Sequence, residues 1–302
     1  QLVEKIQLGE SNRRGWGCSG DVGEGAKCVR AARDLVADKL SGAEMVIIIT
    51  GLGGGMGGGG APVVAEIATE CGALTLVLAI EPFDLERRSD AARDSLQRLT
   101  QVADTVVRIS NQAVMERQGK DWLVPECLEA ANNLVLETLM GLGRLMRADG
   151  LLNLDYAHLQ KIIGGQHGES LVATVEVAGD ARPRALIDAI LKHPFLEAEN
   201  HLREAEGLII SLAGNKSISM VEVHEFVEHL KAAAPEAQLA LGVHHDESIG
   251  DYLSAMVMVP CAGSRAGEEP SVNRLPAESE EELPLGLADI PNLAQQQLPL
   301  VA

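Results

Sequence analysis

The sequence predicts an α/β fold in which buried parallel strands are covered by helices, laid out as two successive α/β blocks joined by a long helix. Three observations lead there. Hydrophobic residues are 46% of the 302 but aromatics only 2%, so a core large enough for two domains must be aliphatic, the composition of strands sandwiched between helices. Residues 45–80 read as strand, glycine loop, helix, strand, a βαβ unit. Leu123–Arg147 is a long helical stretch broken only by Pro125, Gly141 and Gly143, and a second alternation of strands and helices follows it.

Taken in order, Lys5–Leu8 reads as a short strand and is followed by a loop through Gly15, Gly17, Gly20 and Gly23. Ala26–Leu40 reads as one helix, with Val29, Ala32, Leu35, Val36 and Leu40 at helical spacing. Met45–Thr50 is a continuous run dominated by β-branched residues, as in a strand buried on both faces. The glycine loop Gly51–Gly60 comes next, and Pro62 suits the first turn of a helix Pro62–Cys71, where its missing N–H forfeits no bond. Leu74–Ile80 and Thr105–Ile109 read as strands flanking a helix Ser89–Val102. Beyond the long helix, strands are expected at Leu171–Val177, Gly207–Leu212, Gln238–Val243 and Tyr252–Val259, and helices at Pro183–Lys192 and Ser219–Ala233. From Gly263 the chain turns rich in Glu, Pro and Ser, as in a disordered acidic tail, and ends in a mildly apolar patch, Leu285–Val301. The resulting division is 1–122, a central helix 123–150, a second α/β domain 151–262, and a tail 263–302.

The net charge of -19 repels phosphate backbones, and no basic cluster exceeds Arg13-Arg14 or Arg87-Arg88, which argues against nucleic acid as a partner. Cys18, Cys28, Cys71, Cys127 and Cys261 are scattered and form no C-x-x-C pair, a pattern of a reducing cytoplasm rather than of disulfides or zinc. No run is long and apolar enough to span a membrane, and no signal peptide is visible. His244-His245-Asp246 lacks further ligands nearby in sequence, so no metal site is expected, and Trp16 and Trp122 read as packing residues. The first residue is Gln, not Met, so the chain reads as a fragment or a processed form.

The glycine loop carries the chemistry. GLGGGMGGGGAP, Gly51–Pro62, lies between a buried strand and a helix start. Glycines let backbone N–H groups approach an anion, and the helix dipole favours negative charge there. It is neither a Walker A loop, which needs Gly-Lys-Ser/Thr, nor a tidy dinucleotide fingerprint.

GGGMGGGGAPVVAE, Gly53–Glu66, resembles the tubulin signature of the FtsZ family, GGGTGTG followed by AAPVVAE. Leu74–Glu86 (LTLVLAIEPFDLE) is similar to that family's strand and xPFxFE motif, and Arg14–Gly23 (RGWGCSGDVG) to its GLGAGANPEVG loop. Gly150–Leu159 (GLLNLDYAHL) resembles its synergy loop, NxDxxD, and Leu287–Leu293 (LADIPNL) faintly resembles its C-terminal binding peptide. The resemblance runs over nearly the whole chain. It implies a tubulin/FtsZ-like fold with a doubly wound nucleotide-binding domain, a central helix and a C-terminal activation domain. It also implies a filament-forming GTPase of bacterial cell division, cytoplasmic at the division site, that converts GTP to GDP and phosphate, with room for Mg2+ beside the GTP. In such filaments the synergy loop of one subunit completes the site of the next, a head-to-tail assembly. The implied partners are copies of itself or FtsZ, and a membrane tether or regulator at Asp289-Ile290-Pro291.

Carried over residue by residue, the resemblance assigns nucleotide contacts to Gly53, Gly54, Gly55, Met56, Gly57, Gly58, Gly59, Glu86, Arg88, Asn111 and Asn133, and catalytic roles to Asn153, Asp155 and His158. Several positions depart from the family. Met56 and Gly58 replace the signature threonines, which removes two hydroxyl donors and is expected to leave a floppier loop. Asp21 stands where the loop facing the γ-phosphate carries Asn, or is an ordinary turn Asp. Asn133 stands for the Asp that reads guanine, and His158 for the second synergy-loop Asp. The family's opening strand and GGxGxN loop are absent, and since the first strand of a doubly wound sheet lies in its middle, the natural protein is expected to begin earlier. Two functions remain in view: a GTP-binding, filament-forming protein with weakened hydrolysis, and a non-catalytic structural or regulatory paralogue that co-assembles with FtsZ. A dinucleotide oxidoreductase, with Glu81 as its ribose-binding acid, would need a G-x-G-x-x-G at a βα turn, and the synergy-loop and PFDLE matches speak against it.

Overall fold

The structure, a computed structural model, describes residues 4–9, 17–118, 123–147, 150–165, 167–179, 181–193, 196 and 201–261. Its order is α1 (Val22–Ala31), α2 (Arg33–Leu40), β1 (Met45–Gly51), α3 (Ala61–Glu70), β2 (Leu74–Glu81), α4 (Ser89–Val102), β3 (Thr105–Ser110), α5 (Asn111–Gln118), α6 (Val124–Leu145), α7 (Tyr156–Ile163), β4 (Gly168–Val177), α8 (Arg182–Leu191), β5 (Gly207–Gly214), α9 (Met220–Ala233), β6 (Gln238–His245) and β7 (Leu253–Pro260).

The strands form one mixed seven-stranded sheet in the order β1-β2-β3-β4-β7-β5-β6. β1, β2 and β3 are parallel and in continuous register, from Met45↔Leu74 to Glu81↔Ser110. A short parallel pairing, Thr105↔Gly168 to Val107↔Ser170, attaches β4, so the two α/β blocks share a sheet rather than owning one each. β7 then runs antiparallel between β4 and β5, and β6 closes the far edge parallel to β5.

Both faces are covered, each by the residues that strand alternation sends there. α3 and α4 pack Ala61, Ala65, Leu96 and Leu99 on Val77, Ala79 and Val106. On the opposite face, α6 and α7 set Val135, Leu142, Leu145, Leu159 and Ile163 on Leu76, Leu78, Ile109, Val172 and Met256. α8 and α9 cover the other side of β4–β7 around Phe226, Leu186 and Ile190. Thus α6 crosses the sheet from β3 to β6 and ties the two blocks together. Gly141 is one reason it lies so close: a Cβ there would stand 2.7 Å from the Met256 side chain.

Two expectations need correction. Residues 26–40 are not one helix: the chain breaks at Ala32, where the backbone leaves helical geometry between α1 and α2. Lys5–Leu8 forms no strand. β1 is therefore an edge strand that pairs with β2 alone among the described residues, with Ile49 half exposed. Two short helices, α5 and α7, were not foreseen. The expected tail, with Asp289-Ile290-Pro291, and both Trp16 and Trp122 lie outside the described residues.

Candidate nucleotide site and loop 150–155

The parallel register places the carboxyl ends of β1, β2 and β3 side by side, Gly51 opposite Ile80 and Glu81 opposite Ser110. Open α/β sheets bind ligands in the crevice beyond such ends. Each strand here is followed at once by residues that the resemblance marked.

After β1, the Leu52 N–H donates to the Ile80 carbonyl at 2.8 Å, and Gly53 turns the chain with a φ of +79°. A side chain at Gly53 would meet the Arg88 Cβ at 2.9 Å, so the turn and Arg88 lie against one another. The chain then becomes helical at once. Met56–Gly60 form a π turn that runs directly into α3, and an early bond of this run joins the Gly58 N–H to the Gly54 carbonyl at 2.9 Å. The amides of Gly55, Met56 and Gly57 precede that bond, and such leading N–H groups of a helix point outward toward any anion at its start.

The glycines are therefore not a floppy loop, and that expectation is corrected. A Cβ on Gly57 would drive into the Gly51 carbonyl, and one on Gly59 into the Val22 carbonyl. At Gly58 it would come within 2.5 Å of the Ser95 Oγ, and at Gly60 within 2.9 Å of Val29. The run is wedged between α1, β1 and α4, and Thr50 Oγ1 adds a hydrogen bond to the Gly57 carbonyl at 3.2 Å. Gly58 and Gly59 are buried in this packing, while Gly54 has open space around its Cβ position. Met56 is exposed, and its sulfur lies back along the helix, 2.7 Å from where a Gly60 Cβ would stand.

Asp21 caps α1, accepting from the Glu24 N–H at 3.1 Å, and its backbone packs on Gly55. Its backbone thus adjoins the start of the glycine helix, while one carboxylate oxygen is engaged in capping α1. After β2, Glu86 accepts from the Phe83 N–H at 3.0 Å and so shapes its own turn, and Arg88 immediately precedes α4. After β3, Asn111 opens α5. It is 9% exposed, and its Oδ1 has no partner among the described residues. Burying an amide oxygen without a donor costs about 1–3 kcal/mol, which a donor brought to it would offset. The Asp84 N–H donates to Gln112 at 3.3 Å, which ties the turn after β2 to α5. Asn133 lies apart, exposed on α6, the helix that packs against α5. Below the strand ends, Arg108 bridges Glu81 at 3.3 Å and Glu169 at 3.7 Å. Burial pushes both carboxyls up, and Arg108 opposes it.

The second group of marked residues is elsewhere. Leu151 and Leu152 donate their N–H groups to the Val243 carbonyl at 2.8 and 3.1 Å, and the Val243 N–H returns a bond to Leu152 at 2.9 Å. The loop is thereby stitched to β6, while the glycine turn follows β1 at the opposite edge of the sheet. Asn153, Asp155 and His158 are exposed. Asp155 caps α7 through the Ala157 N–H at 3.0 Å, and His158 lies on the first turn of that helix. The end of β6 is held from α6 as well: Arg144 donates twice to Asp246 Oδ2, at 3.1 and 2.9 Å. Burial would raise the Asp246 carboxyl, but hydrogen bonds from Ser248 and Arg144 hold it below the usual range. No local sequence pattern signals this pair, whose members lie 102 residues apart.

No helix of the described residues is long and apolar enough to cross a membrane. Residues 2–118 match the family model for the Tubulin/FtsZ family, GTPase domain, and residues 168–263 that for the FtsZ family, C-terminal domain. The cell division protein FtsZ of Coxiella burnetii is 31% identical over 265 residues, 87% of this chain and 68% of that protein. Its counterpart in Azotobacter vinelandii is 28% identical over 86% of this chain and 66% of its own length. The chain thus spans about two thirds of these relatives. An empty FtsZ dimer from M. jannaschii superposes with a TM-score of 0.78 at 27% identity, covering 85% of this chain and 75% of that one. CetZ2 from Haloferax volcanii, at 20% identity and a TM-score of 0.65 over 87% of this chain and 80% of its own, shares the fold. Strand-end geometry alone would suit many nucleotide-binding folds, but with both halves matched in order and a relative at 31% identity, this chain belongs to the Tubulin/FtsZ family.

Proposed function

We propose that this chain is an FtsZ-like, GTP-binding subunit of a head-to-tail filament, in which loop 150–155 of one subunit completes the hydrolytic site of the next. One observation carries the reading. α6 is 22 residues long, about 33 Å at 1.5 Å per residue, and it separates the strand-end site from the loop. The glycine turn follows β1, at the sheet edge opposite β6 to which the loop is bonded; Asn111 opens α5, which packs on α6, and Asn153 and Asp155 follow the end of α6. Residues so far apart cannot act on one nucleotide within a subunit, but head-to-tail stacking brings one subunit's loop onto its neighbour's nucleotide.

GTP fits the strand-end site on this chain's own terms. The amides of Gly55, Met56 and Gly57 suit a polyphosphate, Arg88 stands against the turn at Gly53, Glu86 precedes Arg88 by two residues, and the unpartnered Asn111 Oδ1 offers an acceptor. Asn133 on α6 would read the base with an amide. Mg2+ would relieve repulsion between the phosphates and Asp21. Hydrolysis is weakened, because Met56 supplies no hydroxyl and His158 supplies an imidazole where a second carboxylate would orient water. The division site in the cytoplasm is where such a filament would act, with the segment at Asp289-Ile290-Pro291 as its contact for a tether. The second reading, a non-catalytic partner of FtsZ filaments, is favoured by those same two side chains.

Subunit mixing tests the proposal. Gly54→Asp places a carboxylate at the helix start, where there is room for it, and should block GTP. Asp155→Ala leaves the pocket intact but disables the loop. Each variant alone should be inactive in phosphate release, and a mixture should regain activity at interfaces that pair a good pocket with a good loop. A mixture no more active than its parts overturns completion by the neighbour. GTP-dependent co-sedimentation with FtsZ, without phosphate release by the unaltered chain, would put the second reading in front.

A further inference from the structure

We propose that Arg144 and Asp246 are positioning residues for loop 150–155: their ion pair clamps the last turn of α6 to the end of β6 and so fixes where Asn153 and Asp155 are presented. The inference rests on the hydrolytic reading of that loop and extends it to two residues outside the motif.

Asp246 is a junction. Its Oδ2 takes both N–H bonds from Arg144, and its Oδ1 accepts from the Ser248 N–H at 3.0 Å and from the Ser248 hydroxyl. Its backbone N–H donates to the Gly214 carbonyl at 2.9 Å. One residue thus joins β5, the end of β6, the turn Glu247–Ile249 and helix α6. The Arg144 side chain is 11% exposed and that of Asp246 24%, so solvent screens the pair far less than a surface bridge.

The loop reads its position from the same strand end. Its backbone ladder to Val243 lies three residues before Asp246, and Gly150 presses onto the intervening His244, where a Cβ would stand 2.9 Å from the ring Nδ1. A side chain at Gly150 would also strike the Asn153 Oδ1 at 2.6 Å, so Gly150, Asn153 and His244 form one close-packed stack. The loop begins just after Arg144. With the helix end and the loop both referred to β6, Asn153 and Asp155 have a fixed place. With the clamp cut, the last turn of α6 is free to shift along β6 and carries the loop with it. Neither residue approaches the strand-end pocket, so GTP affinity has no reason to change.

The experiment uses the full chain with Arg144→Met, Asp246→Asn and both changes together, and reads turnover, KM for GTP, polymer by light scattering, and hydrogen–deuterium exchange. Expected are a roughly tenfold fall in kcat for each single change, unchanged KM and polymer, and a double variant no slower than the worse single one, because the two residues act as a unit. The Leu151 and Leu152 amides should exchange at least tenfold faster in all three, with protection in α8 and α9 unchanged. Unaltered exchange at Leu151 and Leu152, losses that multiply in the double variant, or a KM that rises as kcat falls would each overturn the clamp. Asp155→Ala is the control for the underlying reading. If it is inactive while Arg144→Met turns over normally, only the clamp falls. If Asp155→Ala itself keeps the unaltered rate, the hydrolytic loop falls and the positioning role with it.

Discussion

The two marked regions of this molecule are built on opposite principles. The glycine turn after β1 is made of backbone: it offers amides, and its residues are small because α1, β1 and α4 press on every side of it. Loop 150–155 is made of side chains, exposed and carried on a backbone that is itself pinned to β6. Change therefore acts differently on each. At the turn, exchanging one side chain for another, as at Met56, removes a hydroxyl but leaves the amides in place, whereas adding a single carbon at Gly57, Gly58 or Gly59 wrecks the packing. At the loop, the backbone tolerates exchange and each functional group is individually exposed to loss.

The sharpest way to break that contrast is Gly59→Ala. Its methyl would collide with the Val22 carbonyl group and stand 3.0 Å from the Ala26 nitrogen, backbone atoms that cannot swing aside. Overpacking of this kind should lower stability by about 3 kcal/mol or more. Gly54→Ala, with nothing near its Cβ, should be neutral or gain about 0.5 kcal/mol by stiffening the unfolded chain. Urea unfolding of both variants decides the matter, and equal midpoints would mean that the glycines serve flexibility rather than packing.

Next comes Asp155→Ala, on the side-chain region. Removal of a group that orients water typically slows turnover about 10²-fold or more, and loss of the α7 cap should remove about 1 kcal/mol of stability. GTP affinity, measured by titration, should be unchanged. A variant that loses GTP binding instead would place Asp155 in its own subunit's pocket and erase the separation on which the comparison stands.

Much of this architecture could be read from the residues, and the failures have physical causes. β2, β3 and α4 announce themselves because burial on two faces, or on one helical stripe, leaves an unambiguous pattern; β1 reads as a strand too, but as an edge strand it is only partly buried, not buried on both faces. The break at Ala32 does not, since Val29, Ala32, Leu35 and Val36 keep helical spacing across it. α7 carried readable signals, the cap Asp155 and Leu159, Ile162 and Ile163 at helical spacing, whereas the short, polar α5 has a weak stripe. The glycine run reads as a loop because local propensity speaks against helix, and tertiary packing overrides it. Gly53 and Arg88 lie against one another and Asn111 follows the neighbouring strand end, but the pairing of Arg144 with Asp246 is a contact in space that no local pattern encodes.

Glu137 on α6 sharpens the comparison from the helix between the two regions. Burial chiefly, and Glu176 on β4 secondarily, push its carboxyl from 4.5 up to about 7. A carboxyl raised in the folded state contributes its full stability below pH 4.5 and loses it as the pH climbs through 7. The difference is worth at most about 3 kcal/mol at 1.36 kcal/mol per unit, and about 1–2 after allowance for the partial exposure of the group. Glu137→Gln should therefore stabilise the protein by that amount at pH 8 and not at all at pH 4.5, as read from unfolding midpoints. It should leave GTP binding alone, for it belongs to neither region. A stability gain of the same size at both pH values would show that packing, not charge, is what the glutamine relieves.

The smallest expected effect is at His158, where a single exposed side chain is the whole difference. It lies on the first turn of α7, and its N–H bonds the Asp155 carbonyl at 2.9 Å, so Asp155 and His158 share the tip of one helix. A carboxylate at both positions would offer several acceptor sites for an attacking water; a neutral imidazole offers one, and a protonated imidazole offers none. Since the backbone around it is fixed by the Asp155 cap and by the ladder to Val243, exchanging the side chain should not move the loop. His158→Asp should then raise kcat about tenfold, equal to about 1.4 kcal/mol, with KM for GTP unchanged. The opposite result is equally informative. If turnover is the same with Asp as with His, the side chain faces solvent rather than the neighbour's nucleotide, and the side-chain character of this region narrows to Asn153 and Asp155.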